Sequence, residues 1–322
     1  MSSAKRWQIA GVQAALTSAF FLGFAPIFGK RAILYGMPPL AVVASRTILA
    51  AALLLVLVAI FRRRYLYIYP VGLLGCALAG GINGLGSLFY YSALARLDAG
   101  VGQLLYSLYP LFVVFWLFLD HQPPSRMTLL RLSITIPAVA LLTQTSHQPI
   151  DGLGVAYMLI ASALYALHLP INQRVLYDMP APTVTLYTLL AMSLTVGIAF
   201  LISGKFGGFQ LSYAPQALWA IFALTLVTFF SRLTLFLGVK HIGGMQTALL
   251  GLSELLITVG VAQFWLGERL SLMQWGGLGL LVLSLVLMGC EQQKPLKPTT
   301  SGWLHWLRPP APPNIPPWQP HD

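Results

Sequence analysis

The chain has 322 residues, of which 57% are hydrophobic and only 8% are charged. Soluble domains carry roughly 25% charged residues, and disordered chains combine low hydrophobicity with high charge, so the composition excludes both classes. Ten transmembrane helices of ~20 apolar residues would occupy about two thirds of the chain. Such an arrangement leaves no room for a soluble catalytic domain.

The net charge of +11 does not indicate a nucleic-acid partner. Nucleic-acid binders concentrate their basic residues on one face of a folded domain, whereas here these residues fall between apolar runs. With the N-terminus inside, cytoplasmic segments hold twelve Lys and Arg residues and outer segments hold five. This asymmetry follows the positive-inside rule. It predicts an integral protein of the bacterial inner membrane with both termini in the cytoplasm.

Apolar runs separated by Pro, Gly and charged clusters predict an all-α polytopic membrane protein with ten transmembrane spans. Arg131 and Pro137 interrupt the fifth span. We retain that span because an Arg near a helix end can extend its guanidinium to the lipid headgroups. The spans, numbered below in chain order, cover residues 8–29, 40–61, 70–94, 100–119, 127–142, 153–169, 182–202, 215–237, 244–266 and 271–289.

An internal repeat divides the chain into two halves. The sequence LYGMP at 34–38, after the first span, recurs as LYDMP at 176–180, after the sixth. Gln103 and Gln246 each follow a Gly-rich entry to a span, at an offset of 143 residues against 142 for the first pair. Each copy holds five spans, an odd number, so the second copy enters the membrane inverted. Inverted repeats place a solute site near the midplane and permit alternating access.

Four segments follow from these observations. Residues 1–7 form a cytoplasmic N-terminus, 8–145 the first five-helix repeat, 151–290 the second repeat, and 291–322 a cytoplasmic tail. The tail contains nine prolines, which predict disorder or polyproline II structure. Within the tail, five residues are able to touch the membrane interface: Trp303, Leu304, Trp306, Leu307 and Arg308. A tail without contacts is the simpler interpretation.

Four short motifs occur in a characteristic order along the chain. They are Arg46 with TILAAA at 47–52, YSLYP at 106–110, ALLGLSE at 248–254 and GER at 267–269. Together with the duplication, these motifs resemble the EamA family of the drug/metabolite transporter superfamily over nearly the whole chain except the tail. Members of such families export amino acids, other metabolites or drugs, so the resemblance implies a solute carrier without fixing the solute.

Glu254 is the residue most clearly marked as functional. It lies about ten residues into the ninth span, or ~15 Å, which is the middle of a ~30 Å hydrocarbon core. A carboxylate there is costly unless it is paired, protonated or hydrated. We expect it to bind a cationic solute group or to carry a proton, and a structural salt bridge is the alternative. Arg232, nearer the inner face, is expected to pair with Glu254 or to bind an anionic solute group, and Arg46 to snorkel.

Polar and aromatic side chains at helical spacing extend this site. The family resemblance implies that spans one, three, four, six, eight and nine line the cavity, so these faces form the expected wall. For each tyrosine, the alternative to solute contact is packing or a place in an interfacial aromatic belt. For His168, the alternative is a solvated or helix-capping position. The predicted solute-binding residues are Asn83, Tyr90, Gln103, Tyr106, Tyr165, His168, Arg232, Gln246 and Glu254.

The sequence predicts a carrier rather than an enzyme. The six His residues are scattered, and neither an H-E-x-x-H nor a G-x-S-x-G element occurs. Cys76 and Cys290 lie in apolar stretches, so no metal or other cofactor is expected.

We expect a secondary carrier that exports a small organic metabolite such as an amino acid through a midplane cavity. The bilayer and the solute are its partners, and protons are left open as the coupling ion. Two alternatives remain. One is a non-transporting membrane adaptor that acts through the Pro-rich tail, and the other is an efflux carrier for drugs or quaternary amines.

Overall fold

The computed structural model describes residues 3–97, 99–143, 151–203, 214–266, 272–287 and 302–307. It is 86% helical, and no strand occurs within these ranges. The α-helices are α1 (Ser3–Leu22), α2 (Ala25–Leu34), α3 (Pro39–Phe61), α4 (Pro70–Arg96), α5 (Ala99–Tyr106), α6 (Tyr109–Leu119), α7 (Arg126–Thr143), α8 (Gly152–Leu176), α9 (Ala181–Ile202), α10 (Pro215–Ile242), α11 (Gly244–Gly251), α12 (Ser253–Leu266) and α13 (Leu272–Val286).

Six helical stretches are long and apolar enough to cross a membrane. They are α1 with α2, and α3, α4, α8, α9 and α10. Many apolar side chains on these stretches face outward, as a lipid environment requires. The expectation of membrane-spanning helices is therefore confirmed for these six, whereas the expected total of ten is not. The GER motif at 267–269 and most of the tail lie outside the described residues.

Several predicted boundaries differ from those of the structure. The first, fourth and ninth spans were each expected to be one helix, and each is two helices with a short break. The sixth span was expected to stop before Pro170, but α8 continues through it to Leu176. Pro137 likewise lies inside α7. Proline is tolerated within such helices because neighbouring groups can satisfy the freed carbonyl.

The repeated LY-x-MP sequence occupies the same place in each half of the chain. In both copies it forms the turn between two helices, α2 and α3 in the first half and α8 and α9 in the second. Its proline, Pro38 or Pro180, is the residue that immediately precedes the second helix. Its methionine, Met37 or Met179, is buried in the core. The sequence repeat is thus also a structural repeat.

Corresponding helices of the two halves pack antiparallel. The hydroxyl of Thr183, at the start of α9, donates to the carbonyl of Tyr65, just beyond the end of α3, at 2.9 Å. Similarly, Arg131 near the start of α7 donates to the carbonyl of Ser284 near the end of α13 at 3.0 Å. An inverted pair of repeats produces this arrangement.

Arg131 is buried by this packing, and the expectation that it reaches the lipid headgroups is wrong. Its guanidinium donates to the Ser284 carbonyl and also to Gln246 Oε1 on α11, at 2.8 Å. A charged group in an apolar interior needs such partners. Local sequence shows that an arginine lies near a helix end, but not which helix covers it.

The Gly-rich helix α4 packs closely against α8 and α9. A Cβ atom on Gly80 would lie 2.4 Å from the carbonyl oxygen of Thr188 and 2.6 Å from the Cβ of Ala191. Small residues permit this close approach of helices in membranes. At the far end of α4, Arg96 donates to Asp151, which caps α8, and this hydrogen bond lowers the pKa of the Asp151 carboxyl.

We expect Gly80→Ala to destabilise the protein, because the added methyl would force the α4 and α9 backbones apart. Overpacking of this kind costs about 1–3 kcal/mol, which would lower the apparent melting temperature of the purified protein by several degrees. Gly81→Ala is the matched control, since a Cβ there meets only the Thr195 hydroxyl at 3.7 Å. Equal melting temperatures for the two variants would contradict the close α4–α9 contact.

Candidate functional site

Three predicted spans are broken, and all three breaks border one cavity. The first span is interrupted at Gly23 and Phe24, between α1 and α2. The fourth is interrupted at Ser107 and Leu108, between α5 and α6, and the ninth at Leu252, between α11 and α12. Residues next to each break line the cavity. Broken membrane helices occur where backbone is buried in protein or lines a cavity.

Proline explains the break in the fourth span. Pro110 has no amide hydrogen, so the carbonyl of Tyr106, four residues earlier, loses its helical donor. Ser162 on α8 supplies a donor instead, with its Oγ 3.0 Å from that carbonyl oxygen. A backbone group that would be costly to leave unpaired in an apolar interior is therefore bonded to the other half of the chain.

The other two breaks are bonded in the same way. The hydroxyl of Thr258 on α12 donates to the carbonyl of Gly23, at the first break, at 2.8 Å. The hydroxyl of Tyr109 on α6 donates to the carbonyl of Ala248, near the end of α11, also at 2.8 Å. Each of these bonds joins one half of the chain to the other. The helix breaks that border the cavity are therefore held in place by hydrogen bonds between the two halves.

The cavity combines charged, polar and aromatic side chains. The space that water molecules could occupy amounts to about 40 Å³, within a region of about 450 Å³ that is partly open to solvent. The smaller volume suffices for a few water molecules. The charged and polar wall residues are Arg46, Asn83, Ser87, Gln103, Arg232 and Glu254, and the tyrosines are Tyr90, Tyr91, Tyr106 and Tyr165.

Glu254 is the acidic group of the cavity. It is 2% exposed and lies in the first turn of α12, directly after the break, where the helix dipole favours a negative charge. Gln103 donates to its Oε1 at 2.9 Å, and the hydroxyl of Tyr90 donates to Gln103 Oε1 at 3.0 Å. A chain of hydrogen bonds thus links a carboxylate of the second half to two residues of the first.

Arg232 is the least satisfied of the buried cations in the cavity. It is 5% exposed, and its guanidinium carbon lies 5.4 Å from the ring centre of Tyr165. Its Nε and Nη1 have no hydrogen-bond acceptor among the described residues. The expected ion pair with Glu254 is likewise not formed within 4 Å. Two donors of a buried guanidinium are thus left without an acceptor, which is costly in an apolar interior.

Arg46 also lies in the cavity, and the expectation that it extends to the headgroups is wrong. It is 6% exposed and donates to the hydroxyls of Thr228 at 3.2 Å and Ser87 at 3.4 Å. Its guanidinium carbon lies 4.7 Å from the ring centre of Tyr91. Because Thr228 belongs to the second half, Arg46 is also a bond between the halves.

Tyrosine rings form a continuous cluster along one side of the cavity. The centres of Tyr90 and Tyr106 are 4.9 Å apart, those of Tyr106 and Tyr165 are 5.3 Å apart, and Tyr109 lies 5.0 Å from Tyr165. Edge and tilted arrangements of this kind are favourable between aromatic rings. The cluster gives the cavity an amphipathic wall with apolar ring faces and polar hydroxyls.

The structure brings together seven of the nine predicted solute-binding residues. Gln246 is not among them, because Arg131 binds its side chain away from the cavity. His168 lies one turn beyond the wall, buried, with its ring 4.7 Å from that of Tyr165 and its Nδ1 against the Tyr165 carbonyl. The seven are Asn83, Tyr90, Gln103, Tyr106, Tyr165, Arg232 and Glu254.

Tyr91 and Arg46 line the cavity but do not belong to the predicted solute-binding set. Arg46 lies about ten ångströms from the start of an apolar helix. An arginine at that depth is costly in lipid, so its position in the sequence already favours a site inside the protein. Nothing in the sequence indicates that Tyr91, beside Tyr90, faces the same cavity. Within the described residues, no three His, Cys, Asp or Glu side chains are grouped to hold a metal ion.

Comparison with known proteins agrees with this architecture. A model of the EamA-like transporter family matches residues 9–144 and again residues 152–290. The chain belongs to the EamA-like transporter family. That family is one of membrane transporters rather than enzymes, and the two matches are the two copies of the repeat.

The fold of the chain is similar to that of a solved structure. One described only as the crystal structure of a protein is 17% identical in sequence, with a TM-score of 0.62 over 90% of this chain and 97% of that chain. At this identity the likeness shows the fold alone. No curated protein is similar enough in sequence to count as a match.

We expect Ser162→Ala to destabilise this EamA-like transporter, because the Tyr106 carbonyl would lose its donor from α8. Leaving a buried acceptor unpaired costs about 1–3 kcal/mol, which thermal denaturation of the purified protein would detect. Ser133→Ala is the control, since the Ser133 hydroxyl bonds only within α7, to Leu130, on an exposed face. An unchanged melting temperature for Ser162→Ala would contradict the bond at the break.

Proposed function

We propose that this protein is a secondary carrier that exports a small zwitterionic metabolite, such as an amino acid, by alternating access. The cavity at three helix breaks is the observation that carries the proposal, because its wall holds a carboxylate and a guanidinium with two unpaired donors. In this view the chain spans the bacterial inner membrane ten times as two inverted five-helix repeats, 8–145 and 151–290. Both termini lie in the cytoplasm. The outward direction is the one that the family resemblance implies.

The packing of the halves supports the inverted topology. Helices at the same position in each half, α3 with α9 and α7 with α13, run antiparallel to each other. Two copies with an odd number of spans must face opposite sides of the membrane. Transporters built in this way bind solute near the midplane, where broken helices expose backbone.

The charges of the cavity support a zwitterionic solute. Nε and Nη1 of Arg232 have no acceptor among the described residues, and each can donate a hydrogen bond to an anionic group such as a carboxylate. Glu254 can accept an ammonium group or carry a proton between the two sides of the membrane. A drug or quaternary amine fits less well, because Arg46 and Arg232 give the wall two positive charges against one negative charge.

Transport requires the cavity to open alternately to each side. The space that water molecules could occupy in the cavity, about 40 Å³, is too small for a metabolite. Beyond the cavity wall, at one end of the helical body, a buried ion pair joins the halves: Arg174 on α8 and Asp120 at the end of α6, with Nη2 and Oδ2 2.7 Å apart. Beside this pair, Gln173 on α8 accepts from the amide of Gly244 at 2.7 Å. Opening of this end must separate both contacts.

A first experiment tests Glu254. We expect Glu254→Gln to reduce solute flux in proteoliposomes at least ~10-fold, or to abolish its stimulation by a pH gradient, because the amide can neither pair with an ammonium group nor release a proton. Asp151→Asn makes the same chemical change at the protein surface and should leave flux intact. Flux of Glu254→Gln that is unchanged with and without the gradient would contradict the assignment.

A second experiment tests Arg232 and the class of solute. An aromatic amino acid, the amine without its carboxylate and the acid without its ammonium group would each be titrated against the purified protein in a thermal-shift assay. We expect the zwitterion to stabilise the protein most, and Arg232→Gln to weaken its binding ~10- to 100-fold, since hydrogen bonds to charged groups contribute about 1.5–3 kcal/mol.

Arg96→Gln is the matched control for Arg232→Gln, because Arg96 pairs with Asp151 at the surface. Its affinity for the zwitterion should equal that of the unmodified protein. Amino acids, nucleosides, sugars and quaternary amines would be screened in parallel. Stabilisation by a quaternary amine alone would favour the drug-efflux alternative and contradict the proposed solute class.

A further inference from the structure

A short segment of the C-terminal region, residues 302–307, is docked onto the helical body. Leu304 and Leu307 are each 1% exposed, and they pack with Ala79 on α4 and Ile171 on α8. The ring of Trp303 lies 6.4 Å from that of Trp116 on α6. The expectation of a tail without contacts is therefore wrong for these residues. Residues 302–307 occupy a groove between α4, α6 and α8.

The segment also bonds to the buried ion pair that joins the two halves at this end of the helical body. Arg174 donates to Asp120 Oδ2 through Nε at 3.0 Å and through Nη2 at 2.7 Å. Gln122 donates to the same oxygen at 3.0 Å. The remaining oxygen, Oδ1, accepts the backbone amide of Leu304 at 3.2 Å. The segment thus completes the hydrogen bonding of a carboxylate that is fully buried.

Gly302 makes the close approach to Asp120 possible. Its φ of +98° lies in a region that L side chains rarely adopt. A Cβ atom there would also lie 2.3 Å from Asp120 Oδ1 and 2.6 Å from its carbonyl oxygen. Glycine is therefore the residue that this position requires. The requirement for glycine at this position indicates that the contact between Gly302 and Asp120 is specific.

We propose that the segment Gly302–Leu307 is an intramolecular latch that holds this end of the cavity closed. It touches α4 and α6 of the first half and α8 of the second half at the same time. Any motion that separates Asp120 from Arg174 must therefore also pull the segment from its groove. The latch rests on the proposed transport function, since it acts on the opening of the same cavity.

The first test asks whether the segment is docked. In a Cys76→Ala, Cys290→Ala background, Trp116→Cys combined with Trp303→Cys should be joined rapidly by a short bifunctional thiol reagent. Trp219→Cys with Trp303→Cys is the control pair, because Trp219 lies near the start of α10, at the opposite end of the helical body. Equal and slow joining of the two pairs would overturn the docking.

The second test asks whether the segment holds the end closed. Ala248 lies buried on α11, between Gly244 at this end and Glu254 at the cavity. In the same background, Ala248→Cys reports opening through its rate of reaction with a water-soluble maleimide. We expect truncation after Ser301 to raise this rate roughly five- to tenfold, and truncation after Leu307, which retains the latch, to leave it unchanged.

Point variants separate loss of the latch from loss of the tail. Leu304→Asp places a charge against apolar side chains and should raise the labelling rate as truncation after Ser301 does. His305→Asp is the control, because His305 is exposed on the adjacent position. Labelling rates that do not differ among these variants and the full chain would overturn the latch.

Solute flux in proteoliposomes then distinguishes the latch from the transport function. We expect flux to rise roughly five- to tenfold in the forms whose labelling rises. Flux that is present but equal in all forms would overturn the latch while leaving the carrier intact. No flux in any form would contradict the proposed carrier, and the labelling rates would still decide whether the segment holds the cavity closed.

Discussion

The structure depends on how the backbone is satisfied where the membrane helices are broken. A carbonyl freed in an apolar environment has no water to bond, so a broken helix is stable only if another element supplies a donor. Here Ser162, Tyr109 and Thr258 each supply one, and each lies in the other half of the chain from the carbonyl that it bonds. The breaks consequently exist only in the assembled pair of halves.

This dependence explains why the cavity lies where it does. The break in the fourth span places Gln103 and Tyr106 at a helix end, and the break in the ninth places Glu254 in the first turn of a new helix. The hydrogen bond from Gln103 to Glu254 then joins the two breaks directly. Groups that hold the fold together and groups that face the cavity are therefore neighbours on the same short stretches of chain.

Sequence patterns predicted those parts of the molecule that depend on local spacing. Helical periodicity placed Asn83, Tyr90 and Tyr106 on cavity-facing sides of their helices, and all three line it. Hydrophobicity and the LY-x-MP repeat likewise predicted membrane helices in two related halves. These signals are local, because a helix face is defined by neighbours three and four residues away.

What the sequence did not predict depends on contacts between distant segments. From the sequence, Arg131 and Arg46 resemble arginines that extend to the lipid headgroups. In the structure Arg131 is bonded to α13 and α11, and Arg46 is bonded to α10. Similarly, Leu304 and Leu307 sit in a Pro-rich region whose composition indicates disorder, and their groove is formed by helices more than a hundred residues earlier. No local pattern encodes such partners.

The duplicated scaffold carries charges that are not duplicated. At the offset of 143 residues that relates Gln103 to Gln246, the counterpart of Glu254 is position 111, a leucine. At the offset of 142 that relates LYGMP to LYDMP, the counterpart of Arg46 is Thr188, which is uncharged. An inverted repeat makes the two ends of the scaffold equivalent. Each of these charges occurs in one half only, so the distribution of charge in the cavity is asymmetric. The orientation of a bound zwitterion would follow from this chemistry and not from the fold.

The same reasoning applies to the two ends of the cavity. In a perfectly symmetric scaffold, conformations open to either side would have equal free energy, so a preference must come from elements present at one end only. The Asp120–Arg174 pair is fully buried and bonded to the docked segment, whereas the Arg96–Asp151 pair at the other end of α4 and α8 is 47% and 37% exposed. Exposed pairs contribute little free energy, while removal of one partner from a buried pair is strongly unfavourable. In the proposed carrier, a preference for closure at the Asp120 end would therefore reside in the buried pair and the segment that covers it.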